Sequence, residues 1–262
     1  MIKLLTDDRT AEFKLFCSKS PVGANISAKL DAYSLNSGIQ YFWYEESNGR
    51  LTAAFNRDGS LMSICSRPTL DEETAEFINF MGCSEVISEY NPQLPDFKTI
   101  KNSVLRLTYA LPREYATEVT GEDIKDLFSV IYNDKTEEDK RFLFENWFPD
   151  ASLKIRRGLI SGRMIRQGKA AVSCALTSGE TQSCAVISSV ATLPDRRRNG
   201  YGKSCVVSLC NSLISSGKTV YLITDSEKNK KWYEDMGFTL SSYRYYSVKQ
   251  SQHQPASPTY SE

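Results

Sequence analysis

The stretch "VATLPDRRRNGYGKSCVVSLC", Val190 to Cys210, constrains the fold more than any other. An apolar, partly β-branched run ends at Thr192, a proline follows at Pro194, and three arginines lead into Gly200 and Gly202. Beyond them Val206, Leu209, Cys210, Leu213 and Ile214 recur at helical spacing. A strand must therefore deliver the chain through a glycine turn onto the first turn of a helix. Helix N-termini carry unsatisfied backbone N–H groups and the positive end of the macrodipole, so they attract anions. Gly200 and Gly202 permit positive φ and leave the backbone bare to a ligand. Arg197, Arg198 and Lys203 bring charge and forked donors to the same spot.

The order strand, Arg-x-x-Gly-x-Gly, helix reads as a pyrophosphate cradle. It is not a P-loop, because no G-K-[ST] closes it, and its spacing is not the dinucleotide G-x-G-x-x-G. The competing reading is a solvated basic turn or a nucleic-acid patch. The 32 basic residues balance 32 acidic ones, whereas a nucleic-acid-binding domain is usually basic, so no nucleic-acid partner is expected.

Several other chemistries are removed by what the chain lacks. Its one histidine, His253, lies in the polar tail "SQHQPASPTYSE", which excludes His-based triads and H-E-x-x-H metal sites. The seven cysteines, at 17, 65, 83, 174, 184, 205 and 210, include no C-x-x-C pair, so no metal is expected and buried reduced thiols are. No apolar run approaches the ~20 residues that span a bilayer. The start "MIKLLTDDRT" turns acidic too early for a signal peptide, so a cytoplasmic location is expected.

The periodicity predicts a mixed α/β (α+β) protein with a central sheet flanked by helices. In the first half, Asn48-Gly49 and Asp58-Gly59 punctuate an antiparallel meander, and "LDEETAEFINFMG" follows as a helix. A proline-bearing stretch, "NPQLPDFK", precedes a strand in "SVLRLTYALP", and composition sets a boundary near Pro112. Thr120 with Asp123 and Thr136 with Asp139 resemble helix-start capping boxes. Three strands then break at Gly168 and at Ser178-Gly179, ahead of the arginine loop and its helix. A buried-type strand "KTVYLIT", a short helix "KNKKWYEDMGF" and a closing strand complete the order. The expected division is 1–112 for a smaller N-terminal α/β domain, 113–250 for a second domain and 251–262 for a disordered tail.

"VATLPDRRRNGYG" resembles the acetyl-CoA signature of the GNAT acetyltransferase superfamily, with Arg197, Gly200 and Gly202 on its named positions. "KNKKWYEDMGF" is similar to that family's second signature, matched by Tyr233, Gly237 and Phe238. The resemblance covers about 113–250, and the N-terminal half reads as a degenerate copy of the same fold. Where that copy's cofactor loop would sit it has "SRPTLDEETAEF", acidic and without the glycine pair.

The resemblance implies a GNAT-like central mixed sheet and direct transfer of an acetyl group from acetyl-CoA to a primary amine of a small molecule or protein. It implies cofactor binding by Val190, Ala191, Thr192, Arg197, Arg198, Asn199, Gly200, Tyr201, Gly202 and Lys203, with Asn229 near the place where relatives carry an asparagine. The backbone of Val190 to Thr192 would pair with the pantetheine arm and present an N–H to the developing oxyanion. Tyr233 would protonate the departing thiolate; a core aromatic is the plainer use of such a residue. Relatives carry a glutamate base where this chain has Val186, leaving a water relay or an acid such as Glu180. A non-catalytic acyl-CoA sensor is the alternative. Trp147 and Phe148 suit packing better than a pocket.

Overall fold

In the computed structural model, which describes residues 1–66 and 72–250, the chain opens with strand β1 (Ile2–Leu4) and helices α1 (Thr10–Cys17) and α2 (Pro21–Tyr33). The sequence reading begins with strands and has no counterpart for these helices. Small residues dilute the apolar stripe of α2, whose Val22, Ile26 and Leu30 are nevertheless buried at helical spacing. Its start is clear locally: Ser20 Oγ accepts from Gly23 N–H at 3.1 Å and Pro21 takes the first turn. The α1–α2 corner closes over a missing side chain, since a Cβ on Gly23 would lie 2.1 Å from the Cys17 carbonyl oxygen.

The expected meander follows as β2 (Gln40–Ser47), β3 (Arg50–Asp58) and β4 (Leu61–Ser66). Asn48 and Gly49 both take positive φ, at 50° and 73°, as a tight hairpin turn demands. Next come α3 (Glu72–Phe80), β5 (Glu85–Ser88) and β6 (Phe97–Leu107). The second half contains β7 (Thr117–Glu118), α4 (Ile124–Ile131), α5 (Glu137–Arg156), β8 (Gly162–Gln167), β9 (Ala170–Glu180) and β10 (Cys184–Thr192). It ends with α6 (Tyr201–Ser215), β11 (Thr219–Thr224), α7 (Glu227–Glu234) and β12 (Thr239–Lys249). Residues 67–71 of the acidic "SRPTLDEETAEF" stretch lie outside the described residues, as do the tail 251–262 and His253.

All twelve strands join one mixed sheet in the order β1-β2-β3-β4-β5-β12-β6-β11-β10-β9-β8-β7. Each half has two helices, a three-strand meander, a helix and a strand parallel to the meander's last: β4 with β5, and β10 with β11. The strands that follow are exchanged. Strand β6 pairs with β11 of the second half, while β12 pairs with β5 of the first, and β6 and β12 pair with each other.

Two local expectations need correction. Thr136 does cap α5, accepting from the Asp139 N–H at 3.1 Å, whereas Thr120 Oγ1 accepts from the Glu122 N–H at 3.3 Å in a turn that precedes α4. Asp123 instead accepts from Thr120 N–H and Oγ1 at 2.7 and 2.8 Å and from Arg166 at 2.7 Å, and α4 starts only at Ile124. The break placed at Ser178-Gly179 is also absent, because β9 runs on to Glu180 and turns at Thr181. Gly179 serves a crossing: a Cβ there would stand 2.6 Å from Asn25 Oδ1 and 2.8 Å from the Ala24 oxygen of α2.

The largest core lies between the sheet and α6, with Leu105, Leu107, Ile187, Val220 and Leu222 meeting Val206, Leu209 and Leu213. On the other face α2 lays Ala24 against Cys184 and Val186. Trp147 packs on Phe128 and Tyr132 with ring centroids 5.9 and 5.7 Å away, and Phe148 lies tilted against Phe144 with centroids 4.4 Å apart. Among the described residues no helix is long and apolar enough to cross a membrane.

Candidate functional site

Strands β10 and β11 run parallel from Cys184 opposite Thr219 to Ile187 opposite Leu222, and then part. On its other side β10 carries a bulge: Ser188 and Ala191 face Leu176 and Cys174, giving β10 one residue more than β9. Ser189 takes φ 47° within it. A bulge bends its strand and re-aims the groups beside it. The β11-facing edge of Ser188–Thr192 is therefore left without a strand partner, and a wedge opens in the sheet.

Two cavities occupy this wedge. The first, of about 640 Å³, is lined by Val190, Ala191 and Thr192, by the arginine loop and start of α6, and by Asn229, Trp232 and Tyr233. The second, of about 290 Å³, is lined by residues 187–190, residues 222–225, Asn102, Asn229, Tyr233 and Arg244. Val190, Asn229 and Tyr233 belong to both walls. Ile131 at the end of α4, with Asn133 and Asp134 of the α4–α5 connection, closes the first cavity; nothing in their sequence context marks them.

The loop is built to expose backbone. Gly200 caps α6 at φ 80° with no side-chain acceptor on the first-turn N–H groups. Gly202 sits against the strand end: a Cβ there would meet Thr192 Oγ1 at 3.2 Å and the Trp232 ring at 3.7 Å. Arg197 Nε donates to the Thr192 carbonyl at 3.2 Å, tying loop to strand. Arg196 pairs with Asp195 at 3.0 Å, while Arg197, Arg198 and Lys203 have no acidic partner among the described residues. Tyr201 lines the groove and accepts from Gln167 Nε2. Of the residues expected from the sequence to bind the cofactor, only Asn199 is not on the groove wall. Its amide is turned inward, donating to the Arg196 and Arg197 carbonyls at 3.1 and 3.2 Å.

The Tyr-x-x-x-Gly-Phe spacing has a local cause. Phe238 N–H donates to the Tyr233 carbonyl at 3.1 Å and Gly237 N–H to the Glu234 carbonyl at 2.9 Å, with Gly237 at φ 112°. This is a Schellman ending for α7, and its usual apolar contact is Tyr233 against Phe238, centroids 5.8 Å apart. Helix α7 starts at Ser226, whose Oγ accepts from Asn229 N–H at 3.3 Å. The motif thus fixes Tyr233 where the two cavities meet. Burial, with Cys210 nearby, pushes its phenol up to about 12. It stays protonated at any working pH.

Glu180 is no base for this site. It stands opposite Ala185, five residues before Val190, or roughly 16 Å along a strand at ~3.3 Å per residue. There it accepts from Thr177 and pairs with Lys218. Val186 is 2% exposed and packs under α2. The carboxylates that do line the wedge are Asp134 in the first cavity and, in the second, Asp225, exposed at the end of β11. All seven cysteines are free and buried; burial raises Cys174 and Cys210 to about 12 and Cys205 to about 11, far from thiolate chemistry. Among the described residues no group of three or more His, Cys, Asp or Glu could hold a metal ion.

Residues 165–247 match the family described as FR47-like protein. No curated protein matches the chain by sequence. A GNAT-family protein from Novosphingobium aromaticivorans superposes with TM-score 0.59 at 13% identity, covering 88% of this chain and 97% of its own. A GNAT-family acetyltransferase from Colwellia psychrerythraea gives 0.55 at 11%, covering 96% and 100%. A tandem GNAT protein from the clavulanic acid biosynthesis pathway gives 0.58 at 10%, covering 97% and 99%. At such identities the likeness is one of fold. The chain has the GNAT fold, with a GNAT-like first half before the second. Residues 165–247 are FR47-like in sequence as well.

Proposed function

We propose that the protein is an N-acyltransferase that carries an acetyl group from acetyl-CoA directly to a primary amine. The observation that carries this reading is the bared start of α6, with its unpaired arginines, opening into the same wedge as Tyr233. Gly200, Gly202, Arg197, Arg198 and Lys203 receive the diphosphate. The open edge of Val190–Thr192 takes the pantetheine arm as an added strand. Bound there, acetyl-CoA supplies an acyl group whose C–S bond breaks as the amine N–C bond forms. A backbone N–H of the bulged segment faces the carbonyl oxygen, a donor whose loss typically costs roughly 3–4 kcal/mol. Tyr233 gives its proton to the leaving sulfur and recovers one from solvent, while the amine releases its own.

In this reading residues 113–250 form the acyl-CoA-binding domain, and residues 1–112 contribute Asn102 to the second cavity. Titration calorimetry with CoA, followed by thiol release from acetyl-CoA over a panel of amines, tests it. Micromolar binding with turnover is expected. Absence of CoA binding sinks the assignment, and binding without turnover on any amine makes the protein a sensor.

A further inference from the structure

The second cavity carries a charge that acyl transfer to a plain amine does not need. Arg244 of β12 stands opposite Asn102 of β6, and its Nη2 donates to Asn102 Oδ1 at 3.0 Å. Asn102 is 5% exposed, so a buried amide holds the guanidinium in place. Arg244 Nε is itself buried and has no hydrogen-bond partner. Among the described residues no acid forms an ion pair with it. Burial depresses its proton affinity, but a guanidinium remains charged at any working pH. A desolvated cation with an orphaned N–H is costly until an anion completes it.

The surroundings say which anion. Tyr233 and Val190 form the wall shared with the first cavity, so whatever fills the second lies next to the acyl-transfer position proposed above. Asp225 lines the same cavity and places a negative charge across from the guanidinium. A cavity of about 290 Å³ has the size of a small molecule and lies below the usual range for drug-sized ligands. Arg244 also borders a cavity of about 260 Å³ with Lys19, Glu89 and Tyr221, but Tyr233 does not reach that one. Only in the first of these can an amine and an anion be held together beside Tyr233.

We infer that the acceptor is a small amine that also carries a carboxylate, as in a free α-amino acid, with Arg244 taking the carboxylate and Asp225 facing the ammonium end. This rests on the acyltransferase reading and names its acceptor class. Neither half supplies this pocket alone. The exchange of β6 and β12 brings Asn102 and Arg244, 142 residues apart, onto adjacent strands at the wedge.

The test compares the common α-amino acids with their carboxamides, as acceptors for acetyl-CoA and as ligands by saturation-transfer NMR, with and without CoA. The free acids should exceed their amides by about 30-fold or more in kcat/KM, the order expected when a buried cation loses its anion. Arg244→Gln and Arg244→Lys should each cost the acids about 100-fold, chiefly in KM, while amide turnover and CoA affinity change less than about threefold. Amides used as well as acids by the unaltered protein would overturn the inference, as would unchanged selectivity in both variants. NMR reads acceptor binding even without turnover: contact to the acids that Arg244→Gln abolishes supports the inference, and no contact to any acid defeats it. Loss of the acyltransferase reading shows separately, as absent CoA binding in calorimetry.

Discussion

Gly202 lies so close to Thr192 that a Cβ on it would meet the threonine Oγ1 at 3.2 Å. Thr192 is not free to retreat, because its Oγ1 is hydrogen-bonded to Ser173 Oγ at 2.8 Å. The start of α6 is thereby pinned against the end of β10, where both line the first cavity.

Substitution at this corner should abolish CoA binding before it affects folding. Gly202→Val places branched bulk between helix and strand, and Gly200→Glu puts negative charge where a diphosphate is expected. Each should weaken CoA by about 100-fold or more, roughly the loss of two charge-assisted contacts. Calorimetry measures this directly, and unchanged affinity in both variants removes the cradle.

Tyr233→Phe tests the proton donor proposed above. The ring contact with Phe238 is retained, so α7 should keep its ending. A fall in kcat of about 10²- to 10⁴-fold, with CoA affinity within about twofold, is the expected result. An unaltered rate, with chemistry shown to be limiting by single-turnover kinetics, would return Tyr233 to a packing role.

The buried phenol also makes a pH prediction. Its folded pKa, about 12, lies above the ordinary tyrosine value of 10.0, so folding favours the protonated form. That contribution is whole below roughly pH 10 and fades as pH rises through the folded value. The kcat/KM profile should climb as the amine deprotonates and show no descending limb from Tyr233 up to about pH 10. Urea unfolding should show the native protein losing more stability than Tyr233→Phe between about pH 9 and pH 11.

Gly179→Ala tests the crossing of α2 over β9. The added methyl would face backbone and the Asn25 side chain inside 3 Å, so the helix must shift. A loss of about 1–3 kcal/mol in urea unfolding is expected. A neutral substitution would show that the two elements are not pressed together at this point.

The features legible in the sequence share a short range. The strand–glycine–helix turn and the Tyr233-to-Phe238 ending are held by hydrogen bonds spanning a few residues, so residue type and spacing suffice to read them. The meander behind Asn48-Gly49 is legible for the same reason. Thr120 and Gly179 mislead because each bears a local signal put to another use, one as an Asp123 partner and the other as space for a helix.

The sequence by itself determined the glycine-bearing start of α6 and the ending of α7 that holds Tyr233 against Phe238. Tertiary structure alone decided the exchange of β6 and β12, the passage of α2 over β9, and the meeting of Asn102 with Arg244 beside Tyr233. Those depend on which distant strand edges pair and which helix covers them. Backbone hydrogen bonds between strands are alike for every residue type, so side-chain pattern within one segment carries no record of its partner.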